Sequence, residues 1–268
     1  FIVTAGKPES DVSTEKACED VLSSSGKLES VKTCKYENIW LVIASPERAN
    51  TQKLSAAFQE RLSLAGEKTF LLQYAPSGEC KEEAAELWWR HVLARALKER
   101  DGATLQVVFV AAYDNISSVS EAAAFDFQTS ACLSLAAFTR AWESLRPDMR
   151  FWVVSGGALA DGVSDARPIP SQGAVAGFLR VMGNEIRRLP VGLLDLHGDD
   201  KTALAQVPEL VREMLCPTDD QEVVFTPNGR YVPRLSPLKS KAGRRNEDAE
   251  KAAAILQFDN PGRLQNLY

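Results

Sequence analysis

Tyrosine is the first residue type to test for chemistry, because a phenol can donate a proton to a carbonyl group during its reduction. One large class of reductases also needs a Lys or Asn four residues after that tyrosine to tune its acidity. The residues at that distance from Tyr36, Tyr74, Tyr113 and Tyr231 are Trp40, Gly78, Ser117 and Leu235. None is Lys or Asn, so the sequence predicts no catalytic tyrosine.

The sequence also gives no clear indication of nucleophilic catalysis by serine. Ser155 has Val153 two positions before it, where a nucleophile elbow needs glycine. His91 and His197 show no spacing to a serine and a carboxylate that indicates a triad. Asp195 is a possible catalytic acid, although an acidic residue at a strand end more often anchors a loop or helix.

The cysteines are odd in number and widely spaced, with no C-x-x-C pair and no nearby histidine to complete a zinc site. We therefore expect no metal ligands, and reduced, mostly buried thiols. The cysteines are Cys18, Cys34, Cys80, Cys132 and Cys216.

Phosphate or dinucleotide binding needs a glycine-rich turn after the first strand of an α/β sheet. The turn after Ile39–Ala44 reads Ser-Pro-Glu-Arg-Ala-Asn and contains no glycine. The stretch 155–162 is glycine-rich and follows a strand, so a phosphate nest is possible there, but a plain tight turn is favoured. The sequence therefore predicts no cofactor-binding residue.

Short apolar, β-branched runs alternate with long amphipathic segments, which is typical of βα units and a parallel sheet. The predicted strands are Ile39–Ala44, Lys68–Tyr74, Leu105–Ala111, Phe151–Val154, Val191–Leu196 and Glu222–Phe225. The predicted helices are about Thr51–Ala65, Glu82–Arg100, Glu121–Leu145, Ser171–Arg188 and Lys201–Leu215.

The predicted fold class is α/β, a doubly wound and mostly parallel sheet with helices on both faces. In the fourth helix, Gly173, Gly177 and Gly183 predict a close approach of the helix to the sheet. On this basis Gly177→Leu is expected to cost about 1–3 kcal/mol.

Charge and hydropathy limit the partners. The chain of 268 residues has 31 basic and 36 acidic residues and a formal net charge of −5, which argues against nucleic-acid binding. The longest apolar run is Val107–Tyr113, far shorter than the roughly 20 residues that cross a bilayer. We expect a soluble, cytoplasmic protein with no nucleic-acid or membrane partner.

Several segments, taken in order, carry a resemblance to a family. They are FWVVSGGA at 151–158, QGAVAGFLR at 172–180 with Glu185, GLLDL at 192–196 and EVVFTPNGRYVPRL at 222–235. This set resembles the structural subdomain of ketoreductases in type I polyketide synthases and animal-type fatty acid synthases. The resemblance covers about residues 39–235 and is most specific at 231–235.

The resemblance implies a truncated Rossmann-like half that has lost cofactor binding and packs against a catalytic half holding NADPH, the tyrosine and the serine. It implies that this segment has no catalytic, cofactor-binding or metal-binding residue. NADPH would be bound by the catalytic ketoreductase and enoylreductase domains of the parent, a homodimer that carries an acyl carrier protein.

The sequence suggests four regions along the chain. Residues 1–38 are either an edge βαβ unit of the same sheet or the tail of an upstream methyltransferase-like region. Residues 39–235 are the ketoreductase-like domain and 236–254 a polar linker. Residues 255–268, ILQFDNPGRLQNLY, resemble the first strand of an enoylreductase domain.

Two other functions stay open. One is an NADPH-dependent β-ketoacyl reductase with an atypical site. The other is a free module that binds an acyl carrier or another protein.

Overall fold

The computed structural model describes residues 2–6, 38–46, 48–75, 81–113, 120–160 and 168–236. The chain divides into two compact units, Val3–Arg234 and a second formed by Phe1–Ile2 with Leu235–Tyr268. The first unit contains the described helices and almost all of the sheet. The predicted enoylreductase-like strand, the predicted elements Val12–Ser24 and Leu28–Cys34, and the predicted linker apart from Ser236 lie outside the described residues.

The described residues form a sheet of eight strands. The strands are β1 Ile2–Gly6, β2 Asn38–Ala44, β3 Lys68–Gln73, β4 Thr104–Phe109, β5 Met149–Gly156, β6 Val191–Leu196, β7 Glu222–Thr226 and β8 Gly229–Ser236. Their order is β1-β8-β7-β6-β5-β4-β2-β3, in which the six from β3 to β7 are parallel and β7 pairs with β8 in antiparallel fashion. All six predicted strands are present, although β4 ends at Phe109 and the predicted strand residues after it belong to a short 3-10 helix, Val110–Ala112.

Five helices connect the parallel strands, as predicted. Two of them begin with a side-chain cap, in which Ser120 and Asp199 accept hydrogen bonds from the backbone N–H three residues later, and another has Pro170 in its first turn. The helices are α1 Ala49–Leu64, α2 Lys81–Glu99, α3 Glu121–Leu145, α4 Pro170–Glu185 and α5 Asp200–Leu215. None of the helices in the described part of the chain is long and apolar enough to cross a membrane.

The sheet separates two apolar layers. Helices α2, α3 and α4 cover one face, where the rings of Phe138 and Phe151 stack at 3.8 Å and Trp89 packs edge-on against Phe138. Helices α1 and α5 cover the other face, where the core includes Trp40, Phe58 and Trp152. The near-continuous apolar strands follow from this burial on both sides. The fold is therefore a mostly parallel, Rossmann-like α/β sandwich, as the sequence predicted.

The expectation that α4 packs tightly through its glycines is wrong for Gly177. A Cβ atom added there would meet no atom within 4 Å, whereas at Gly183 it would lie 3.3 Å from Val191 Cγ2. The reason is helical phase: Gly177 and Val181 are on the solvent side of α4, and Ala176 and Leu179 are buried. Gly177 therefore belongs to an open face.

Candidate functional site

The strand order defines where a ligand would bind. In open α/β sheets, ligands occupy the crevice outside the carboxyl ends of the strands, where successive connections leave in opposite directions. Here that point lies between β2 and β4, because β2 is followed by β3 on one side and β4 lies on its other side. The turn after β2 and the segment after β4 are thus the candidate cofactor site.

The turn after β2 is tied to its surroundings by side chains. The Gln52 amide donates to the carbonyl of Pro46, and the Thr51 hydroxyl donates to the carbonyl of Tyr113 over 3.1 Å. The Arg48 guanidinium lies 4.8 Å from the centre of the Phe127 ring. These contacts join the turn to the segment after β4.

A crevice beside this turn is lined by Asn50, Leu54, Tyr113 and Ala203, among others, and has a volume of about 10 Å³. That volume holds about one water molecule, so this crevice is too small for a cofactor. Glu47 and residues 114–119, which follow β2 and β4 in the sequence, lie outside the described residues.

Tyr113 is buried in this crevice. Burial raises the pKa of its phenol well above the ordinary value, and the negative charges of Asp200 and Asp199 raise it further. A tyrosine that donates protons near neutral pH needs the opposite shift. The environment of Tyr113 therefore makes it a poor acid, in agreement with its unsuitable neighbour Ser117.

The other candidate residues converge at the carboxyl ends of β5 and β6. The parallel register places Ser155 beside Asp195, and the Ser155 hydroxyl donates to Asp195 Oδ1 over 2.7 Å. Both residues are fully buried. His197, two residues further along, brings Nε2 to 3.0 Å from Asp195 Oδ2.

Two backbone N–H groups also donate hydrogen bonds to the Asp195 carboxylate. The N–H of Ala158 donates to Oδ1 and the N–H of Leu159 to Oδ2, both over 2.8 Å. These N–H groups belong to the glycine-rich loop that could have formed a phosphate nest. Because the carboxylate already occupies them, Asp195 is an anchor of this loop, which was the favoured interpretation of its position.

The arrangement is not that of a catalytic triad. Ser155 donates to the carboxylate, while the histidine nitrogen also contacts the carboxylate. A triad needs the serine against the histidine and the histidine against the acid. Sequence reasoning had named Ser155, Asp195 and His197 separately, and it missed their network because parallel register is not visible in the sequence.

The remaining candidates are dispersed. His91 is exposed on α2, Tyr74 packs against Trp88 at 4.9 Å, and Tyr231 lies in β8. Burial raises the pKa of Tyr74, an effect that a hydrogen bond with Ser134 partly offsets. Tyr36 lies outside the described residues.

The spacing of the residues predicts no metal site and reduced cysteines. Within the described ranges, no three His, Cys, Asp or Glu residues are grouped so that they could hold a metal ion. Cys132 is a half-buried free thiol. The expectation of reduced cysteines is wrong for Cys216, which is disulfide-bonded; sequence spacing cannot show which distant cysteines meet. Cys18, Cys34 and Cys80 lie outside the described residues.

Comparison with known proteins gives relatives among polyketide synthases. No family model matches the chain. A subunit of the phenolphthiocerol/phthiocerol polyketide synthase of Mycobacterium tuberculosis is 30% identical over 135 residues, which are 46% of this chain and 6% of that protein. The phthioceranic/hydroxyphthioceranic acid synthase of the same organism is 30% identical over 124 residues, 44% of this chain and 5% of that protein.

Solved structures with a similar fold include ketoreductases of polyketide synthases. A C2-type ketoreductase from a modular polyketide synthase matches with a TM-score of 0.58 and 23% identity, over 78% of this chain and 41% of that one. The first ketoreductase of the tylosin polyketide synthase gives 0.55 and 17%, over 75% and 39%. The chain thus contains a domain of ketoreductase-like fold, and its relatives by sequence are polyketide synthases.

Proposed function

We propose that this chain is the non-catalytic, structural half of a ketoreductase within a polyketide or fatty acid synthase. Its role is to support a catalytic half that binds NADPH and carries the tyrosine and serine. The proposal rests on how little of the carboxyl edge of the sheet is available to a cofactor in the described residues. At the β5 and β6 ends the backbone N–H groups of Ala158 and Leu159 are held by Asp195, and beside the β2 turn the crevice measures about 10 Å³.

The comparisons support the same interpretation in outline. The match covers 41% of the C2-type ketoreductase chain, so most of that chain has no counterpart here. We place the catalytic half in the part of that ketoreductase chain that this chain does not match. The chain spans only 6% of the first polyketide synthase relative, which fits a module that acts beside other domains of one polypeptide.

The wider context follows from the resemblance. In the proposed parent, residues 236–254 are a linker and 255–268 begin an enoylreductase domain. The parent is a cytoplasmic homodimer, NADPH binds to its catalytic ketoreductase and enoylreductase domains, and an acyl carrier protein brings the substrate.

The outer face of α4 is the surface on which we place the catalytic half. Gly177 faces open space and Val181 is 54% exposed, while the side chain of Phe178 is half-buried. Small and apolar residues on one open helix face allow another helix to approach closely. The opposite face of the molecule offers a matched comparison in Leu204 of α5, which is 36% exposed.

Calorimetry with NADPH tests the central claim. Purified chain 1–268 is expected to give no heat of binding at 1 mM NADPH, because the turn after β2 has no glycine and Asp195 holds the loop N–H groups after β5. A complete polyketide-synthase ketoreductase serves as the positive control. A micromolar dissociation constant for the chain contradicts the proposal. Ketone-dependent oxidation of NADPH by the chain alone would favour the atypical reductase instead.

A second experiment tests the role as a scaffold. Co-expression with the catalytic half of the same polypeptide is expected to give a stable complex, which Gly177→Arg weakens and Leu204→Arg leaves intact. If the two halves do not associate, the structural role is wrong. If an acyl carrier protein binds the isolated chain in nuclear magnetic resonance titrations, the binding-module alternative gains the support instead.

A further inference from the structure

A groove lies beside the last parallel strand of the sheet, far along the strand order from the Asp195 network. Its volume is about 310 Å³. The floor is apolar and is formed by Ile39 and Leu41 of β2, Phe70 and Leu72 of β3, and Trp88 and Val92 of α2. His91, Arg95 and Glu99 form the polar rim on α2.

The course of the chain explains why this groove is open. Among the described strands, β3 is the last of the sheet and pairs only with β2. Helix α2 leads from β3 back to β4 on the far side of β2, so no other described helix on this face extends beyond it over β3. As a result, Phe70 and Leu72 are only partly buried against the core.

The size and lining match those of small-molecule sites. Ligand pockets are typically about 300–1,000 Å³, mainly apolar and aromatic, with a few polar groups that orient the ligand. The stretch of α2 along the groove, from Trp88 to Glu99, is roughly 16 Å long at the helical rise per residue. An extended chain of about ten carbons, at normal carbon–carbon bond lengths, is roughly 12 Å long and fits this span.

Two basic side chains lie at or next to the groove. Lys68 is not among the residues that line it, but its Nζ lies 5.3 Å from the centre of the ring of Phe70, which does line it. Lys68 makes no ion pair within the described part of the chain. Arg95 donates from Nε to Glu99 over 2.9 Å, and its side chain is 83% exposed. The terminal nitrogens of Arg95 remain available, since a guanidinium has five N–H donors.

The balance of these charges is positive by one. Arg95 and Glu99 on the rim pair with each other, and Lys68, next to Phe70, adds one positive charge. An anionic head group can approach Lys68 and the terminal nitrogens of Arg95, and it meets one repulsive carboxylate.

We infer that this groove binds a medium-length acyl chain that ends in a carboxylate, with the alkyl part against Phe70, Leu72 and Val92 and the carboxylate near Lys68 and Arg95. A second copy of the chain or a polypeptide strand added to β3 are the competing occupants. The inference does not depend on the proposed structural role, because the groove lies away from the carboxyl edge and from the outer face of α4.

Titration with sodium decanoate, sodium octanoate and 1-octanol, followed by nuclear magnetic resonance of labelled chain 1–268, tests the inference. Decanoate is expected to bind with a dissociation constant of about 1 mM or below and to shift the resonances of Leu72, Trp88 and Val92. Octanoate is expected to bind more weakly than decanoate, by about fourfold for each methylene lost. It is also expected to bind more tightly than 1-octanol, which lacks the charge.

Variants then separate the charge from the apolar floor. Arg95→Gln is expected to weaken octanoate several-fold and leave 1-octanol unchanged. Arg90→Gln is the control, because Arg90 lies on the same helix but pairs with Glu86 outside the groove. Val92→Trp, which fills the groove, is expected to abolish binding of both ligands, and circular dichroism confirms that each variant is folded.

Three results would overturn the inference. The first is no saturable shift with decanoate, or shifts outside the groove. The second is equal affinity for octanoate and 1-octanol. The third is an occupied groove, seen as a dimer in light scattering or as nuclear Overhauser contacts from another part of the chain to Phe70 and Leu72.

Discussion

Two glycines, Gly192 and Gly177, occupy regions of opposite character. A Cβ added to Gly192 in β6 would lie 2.5 Å from two atoms of the Trp152 ring, but one added to Gly177 in α4 would meet nothing within 4 Å. At Gly192 the absence of a side chain leaves room for the Trp152 ring. At Gly177 the space stays open, so glycine there has no packing reason within the described chain.

The polar contacts of the two regions differ in the same way. Three residues after Gly192 and on the opposite face of β6, the buried Asp195 carboxylate accepts from a hydroxyl and two backbone N–H groups, so the carboxyl ends of β5 and β6 form a closed region. Around Gly177, the polar contacts are surface pairs, such as that of Arg180 with Glu222 at 2.8 Å. The closed region should therefore respond strongly to substitution and the open face weakly.

The largest effect is expected from Asp195→Ala. This change removes the acceptor of two backbone N–H groups and of the Ser155 hydroxyl, which then remain buried without partners. Leaving a buried donor without an acceptor typically costs about 1–3 kcal/mol, and three donors are affected here. Urea unfolding of the variant and the wild type measures the loss.

Asp195→Asn is the matched control, since it keeps the shape and one oxygen. It should lose less stability than Asp195→Ala. A cost below about 1 kcal/mol for the alanine variant, in the range of an ordinary surface change, would show that the region is not closed.

Gly192→Ala comes next. The added methyl group must displace the Trp152 indole, whose other contacts include a hydrogen bond from Nε1 to Gln106 at 3.2 Å. Overpacking of a core typically costs about 1–3 kcal/mol. A double-mutant cycle with Trp152→Leu checks the cause: the cost of Gly192→Ala should largely disappear when the ring is absent.

Arg180→Gln should have a smaller effect, although Arg180 joins α4 to β7. The guanidinium donates to both oxygens of Glu222, and this hydrogen bond is the main reason that the pKa of Arg180 is raised. Its side chain is 55% exposed, so solvent screens the pair. The expected loss is about 1 kcal/mol or less, and thermal melts at low and high salt should show that salt reduces it. A loss that does not respond to salt would indicate a buried pair.

The same contrast explains what the sequence could predict. The six strands and five helices follow from local periodicity and turn residues, and the absence of glycine in the turn after β2 is visible directly. The network of Asp195 depends on which strands are neighbours and in what register, so its three side chains were found only as isolated candidates. The prediction of tight packing at Gly177 was wrong because the number of glycines in a helix does not show which side of the helix each one occupies. That side depends on the helical phase relative to the buried Ala176 and Leu179.

The smallest effect, and the one of opposite sign, is expected at the open face. Gly177→Ala should stabilise the chain by up to about 1 kcal/mol, because alanine favours the helix and restricts the unfolded chain. Gly183→Ala is the control: its added methyl meets Val191 at 3.3 Å, so the helical gain is offset by crowding. Thermal melts of both variants measure the contrast. A loss of stability in Gly177→Ala would mean that another surface covers α4 in solution, and the open face of α4 would then be an interface already in use.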